Sequence, residues 1–118
     1  MVAPAASAIV LVRFPFSDLS QTKLRPAVVL ADVGRGDRVL CQVTSKSYGD
    51  SKAIALEQTA FLSGSLRLTS YARPGKLFTA SRDLITAEVA VLEPAMLKRI
   101  VDAVVDLLRG AGSTGSAP

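Results

Sequence analysis

The stretch PAVVLADVGRGDRVLCQVTS (residues 26–45) holds two apolar runs rich in valine and leucine around a short connection with two glycines. Valine favours a pleated, packed strand. Gly34 and Gly36 supply the backbone freedom that a tight hairpin needs. The stretch therefore reads as two antiparallel strands, 26–32 and 37–45, joined by VGRGD. The same connection spells Gly-x-Gly, but no helix signal follows it, which argues against a nucleotide-binding loop.

Similar apolar runs recur on both sides. AIVLVRF (8–14), KAIAL (52–56), SLRLTSYA (65–72), GKLFTAS (75–81) and EVAVL (88–92) are further strand candidates. Pro74-Gly75 separates two of them, because proline cannot donate to a ladder and ends or bends its strand. From Ala95 to Arg109 the pattern changes. Apolar positions 97, 100, 101, 104 and 108 repeat at three and four residues, with Lys98, Arg99, Asp102, Asp106 and Arg109 mainly opposite. Pro94 suits the first turn of that helix, and Gly110 its end. About seven short strands and one terminal helix predict a mainly β fold: a small barrel or strongly bent antiparallel sheet with a C-terminal α-helix. Residues 1–110 form a single domain in this reading, and 111–118 (AGSTGSAP) a disordered tail with too little apolar surface to order itself.

A chain of 118 residues supports one core. Its single cysteine, Cys41, lies in an apolar strand and reads as packing; no disulfide can form within the chain. With no histidine either, a zinc site of the usual Cys/His kind is excluded. MVAPAASAIVLV is apolar but short, and no basic residue precedes it. It reads as a loose end and a first strand rather than a signal peptide. No run approaches the roughly 18–20 apolar residues of a membrane span, so the expectation is a cytoplasmic protein with no membrane partner. The net charge of +4 is unevenly placed. Residues 1–82 carry eleven Lys/Arg against five acids, and residues 83–118 three against five. The basic excess sits in the strand-and-loop part, as an anionic partner would require.

Three polar groups stand out. Arg25 carries a permanently charged, five-donor fork that suits phosphate oxygens, and Pro26 holds it extended at the mouth of a strand. Lys23, two residues earlier, projects from the same side of an extended segment. The alternative for Arg25 is a surface pair with Asp18 or Asp32. Thr44, Ser45 and Lys46 place two hydroxyls and an ammonium at a strand end, where they either orient a phosphate or serve as ordinary strand and turn residues. Ser70, Tyr71 and Arg73 form the third group; Tyr71 stacks on a base or packs. No pair of carboxylates stands out as a metal or acid–base couple, since Asp18, Asp32, Asp37 and Asp50 all lie in or near turns.

Taken together, VLVRFPFSDLSQTKLRPAVVL, CQVTSK and LRLTSYARPGKLFTAS, followed by a terminal helix, resemble the MazF/PemK (Kid) family of toxins from type II toxin–antitoxin systems. The likeness covers roughly residues 8–109. It implies an SH3-like barrel, a homodimer, and a metal-independent endoribonuclease, without cofactor, that cuts single-stranded mRNA and is held by a cognate acidic antitoxin. By the same resemblance Arg25 and Thr44 are catalytic. Phe16, Ser17, Lys23, Ser45, Lys46, Ser70, Arg73 and Lys76 would meet RNA. Many relatives carry Gly-Asp before the first strand and Gly-x-Glu ahead of the arginine, where this chain has Ala6-Ser7-Ala8 and Asp18-Leu19-Ser20. Lys76 stands where an uncharged polar residue is frequent. The resemblance thus implies a variant branch with its own base readout. The alternatives are a gyrase inhibitor of the related CcdB type, acting without cleavage, and a binding module of the same fold that has lost it.

Overall fold

The computed structural model describes residues 5–14, 23–47 and 49–110, so the tail expected over 111–118 lies outside the described residues. Seven strands form one sheet: β1 (Ala8–Phe14), β2 (Lys23–Gly34), β3 (Asp37–Thr44), β4 (Ile54–Leu56), β5 (Phe61–Gly64), β6 (Ser70–Ser81) and β7 (Ile85–Leu92). Their order is β4-β6-β3-β2-β1-β7-β5, every pairing is antiparallel, and the sheet curls into a half-barrel. A helix, α1 (Pro94–Arg109), follows. No helix among the described residues is long and apolar enough to cross a membrane.

The central strands are apolar without alternation because both of their faces are covered. On one face Ile9, Val28, Cys41 and Val43 pack with Leu56, Leu92 and Ile100 of α1. On the other, Val10, Val12, Ala27, Val29 and Leu40 pack with Phe78, Ala80 and Ile85. Curling of the sheet, as the sequence led us to expect, supplies the second core. Burial of each such Val, Leu or Ile stabilises the fold by about 1.5–3 kcal/mol. Cys41 is part of this packing. Its buried thiol is pushed up to about 12 by desolvation, and its S–H donates to the Arg73 carbonyl at 3.2 Å.

Several boundaries differ from the sequence expectation. Residues 65–69 are not strand, and residues 70–81 form one continuous strand rather than two. Cys41 pairs with Leu77 but Val43 with Ala72, so residues 73–76 bulge out of β6. Pro74 therefore sits in the bulge, where it has no ladder bond to lose, and its ring is buried. Asp50 ties the bulge down: its carboxylate accepts from Arg73 Nε at 2.9 Å and from the Lys52 N–H at 2.9 Å. In α1, Ile100 and Val104 are buried, but Leu108 is 73% exposed. Leu107, not Leu108, approaches the sheet, at the edge of Gly75.

β5 was not visible in the sequence, being four residues long and mostly exposed. Gly64 ends it with φ +68°, and a Cβ there would stand 2.4 Å from the Val89 carbonyl oxygen of β7. Gly64→Ala should therefore lower stability by about 2 kcal/mol or more, read as a lower urea midpoint; an unchanged midpoint would mean that β5 does not hold β7 this closely. The Asp50–Arg73 pair makes a second prediction. Arg73's hydrogen bond holds the Asp50 carboxyl below its usual value, followed by the bond from the Lys52 N–H. A depressed carboxyl stabilises the fold fully above the unfolded aspartate value of about 4 and loses that contribution as pH falls through the folded value. Arg73→Ala should destabilise by about 1 kcal/mol at pH 7, and the gap from wild type should close as melts are taken from pH 5 down to pH 2.

Candidate nucleic-acid interface

β2 pairs with β1 from its first residue, Lys23, opposite Phe14. With β3 it pairs only from Ala27, opposite Gln42. Residues 23–26 thus run on beyond the β2–β3 ladder, while β3 continues to Thr44 in register with Tyr71 of β6. Pro26 stands at this fork, where a residue without an N–H costs the ladder nothing. Between the parted strands lies a cleft of about 340 Å³ lined by Leu24, Arg25 and Pro26 on one side, Val43, Thr44, Ser45 and Lys46 below, and Leu66, Arg67, Leu68 and Ser70 opposite.

The charges in this cleft are of one sign. Arg25, Lys46 and Arg67 are all exposed, and no carboxylate is among the described residues that line the walls. Elsewhere Arg38 pairs with Asp32 at 3.1 Å, Arg73 with Asp50 at 2.9 Å and Lys98 with Asp102 at 2.6 Å. Among the described residues, Arg25, Lys46 and Arg67 make no such pair. Asp32 is engaged by Arg38, so it does not hold Arg25; Asp18 lies outside the described residues. The half-buried Thr44 hydroxyl accepts from the Lys46 N–H at 3.2 Å, which leaves its own proton to donate. The buried Ser70 hydroxyl donates to the Leu68 carbonyl at 2.9 Å and fixes the far wall.

The structure thus brings together Arg25, Thr44, Ser45, Lys46 and Ser70, five of the ten residues singled out in the sequence. Arg73 and Lys76 lie in the β6 bulge and do not line the cleft. Phe16, Ser17 and the side chain of Lys23 lie outside the described residues. Arg67 was missed. Its neighbourhood held a signal: from residue 58 to 82 the chain has four cations and no acid. A more open groove of about 490 Å³ runs between α1 and residues 51–54, but its lining mixes Lys52, Lys98 and Arg99 with Asp102 and Asp106. Among the described residues no cluster of three or more Cys, Asp or Glu side chains is placed to hold a metal ion.

No known family profile matches the chain, and no curated protein matches its sequence. Solved structures do match. MazF (Form-I) from Deinococcus radiodurans superposes with a TM-score of 0.73 at 21% identity, over 92% of this chain and 99% of that one. MazE-MazF (Form-III) from the same organism gives 0.73 at 19%, over 92% and 98%. An endoribonuclease from a mycobacterial species in complex with its cognate antitoxin gives 0.68 at 17%, over 91% and 96%. Over nearly its whole described length, the chain has the fold of the MazF toxins.

Proposed function

We propose that this chain is an endoribonuclease toxin of a type II toxin–antitoxin pair, cutting single-stranded RNA in the cleft over Thr44. The observation that carries the reading is the set of three cations and three hydroxyls converging on one cleft, with no carboxylate among the described residues that line it. Such a site meets a phosphodiester and repels nothing anionic. The fold adds to it, since solved structures that share it at low sequence identity include proteins named as endoribonucleases and as MazF toxins.

RNA brings its own nucleophile. The 2′-hydroxyl attacks the adjacent phosphorus, the bond to the 5′ oxygen breaks, and the products are a 2′,3′-cyclic phosphate and a 5′-hydroxyl. The protein orients the attack and stabilises the charge that builds on the phosphoryl oxygens. Arg25 supplies the fork of donors and the positive charge. Thr44, its oxygen already engaged by the Lys46 N–H, turns its proton towards a phosphoryl oxygen. No divalent ion is required for this route. An acidic antitoxin segment laid over the same cleft blocks RNA, in keeping with the MazE-MazF complexes that share the fold. The active form is a homodimer and acts in the cytoplasm, where mRNA is found.

The test is incubation of purified protein with a long RNA in EDTA, followed by mapping of the cut ends. Wild type should leave 5′-hydroxyl ends at defined sequences. Arg25→Ala should cut at least about 100-fold more slowly and Thr44→Val about tenfold or more. Cutting by Arg25→Ala at the wild-type rate would sink the proposal.

A further inference from the structure

β3 lies between β2 and β6 in the sheet, so the end of β3 is a floor with two walls. Arg25 of β2 belongs to one wall, and residues 66–68, which lead into β6, form the other. A phosphate seated on Thr44 and gripped by Arg25 leaves Arg67 across the floor, facing the strand as it continues. Arg67 is exposed and makes no ion pair among the described residues, yet its backbone is anchored on both sides. Leu66 packs against the main core, and the Leu68 carbonyl is held by Ser70. Arg73, which the sequence grouped with Ser70, is bonded to Asp50 instead.

We propose that Arg67 binds the phosphate next to the reacting one, so that the cleft grips two consecutive phosphates and thereby fixes which bond lies over Thr44. The proposal rests on the RNA reading of the cleft. Arg67 is a positioning residue here: it touches the substrate away from the reacting atoms, and its effect is on register and binding rather than on the charge at phosphorus.

Binding of an uncleavable 2′-O-methyl octanucleotide, followed by fluorescence anisotropy across a salt series, tests the contact without cleavage. Each lost phosphate contact on a single strand lowers the log–log salt slope by about 0.7. Arg67→Ala should lower it by about that amount and weaken binding about tenfold, while Arg67→Lys, which keeps the charge, should retain the slope. An unchanged slope in Arg67→Ala overturns the proposal. Cleavage supplies the second arm. On a tetranucleotide, Arg67→Ala should lose about tenfold more kcat/KM than it loses on a dinucleotide, which has a single phosphate. Equal losses on both would place Arg67 at the reacting phosphate and overturn the assignment. Wild type that binds the octanucleotide but cuts no RNA removes the nuclease reading and leaves the slope to decide on Arg67. Wild type that binds no oligonucleotide removes both.

Discussion

A proline has no N–H to give a β-ladder, and the cleft is organised around that one missing donor. Pro26 stands in the second strand of a sheet whose central members are otherwise paired on both sides. Its position is tolerable only where a neighbour has already withdrawn, and β3 withdraws one residue away, at the Ala27–Gln42 pair. Arg25 therefore lies on a strand that is still tied to β1, opposite Val12, but is open towards β3. A guanidinium on a paired strand keeps its direction when substrate arrives. One on a free loop would have to be ordered first, at an entropic cost that weakens binding.

The stiffness behind the cleft comes from the two cores. Val12, one residue from β1's Leu11 partner of Pro26, is buried on one face, and Val43, beside Thr44, on the other. The floor and the near wall are thus set in opposite sides of the same packed sheet. The Asp50–Arg73 pair extends that support to the bulge of β6. It lies at the far end of the connection that begins with Ser45 and Lys46, and so limits how far that connection can drift from the cleft.

Much of this frame was legible in the sequence, and the misses have physical causes. β1 was read at its limits from the apolar run 8–12, of which Ala8, Ile9, Val10 and Val12 are buried, Ile9 on one face and the other three on the opposite one. The helix was read from its period and its terminal proline and glycine, and Gly110 does take the left-handed cap, accepting its role by donating to Asp106 and Leu107 carbonyls. Leu108 misled because periodicity reports the face of a helix and not where the surface beneath it ends. Proline as a strand breaker also misled. The rule concerns the missing donor, and a bulge removes the need for that donor without ending the strand. β5 left no trace because its pairing to β7 depends on backbone and on Gly64 rather than on an apolar pattern.

Residue-level chemistry at the cleft was legible in part, for a different reason. Sequence proximity joined Ser70 to Arg73, but Ser70 lines the cleft whereas Arg73, in the bulge that follows, is bonded to Asp50. Arg67 reached the cleft through a segment that the alternation of SLRLTSYA made look like strand. What composition did register was the basic excess of residues 1–82, a property that survives any error in secondary structure. Net charge alone is a weak guide, since among the described residues three cations are matched by nearby carboxylates. Unmatched charge is the informative quantity. It costs folding energy through mutual repulsion unless the cations stay exposed, as Arg25, Lys46 and Arg67 do, and that repulsion is relieved when an anion binds between them. On the proposed function, RNA and an acidic inhibitor would both be drawn by that charge and would compete for this cleft.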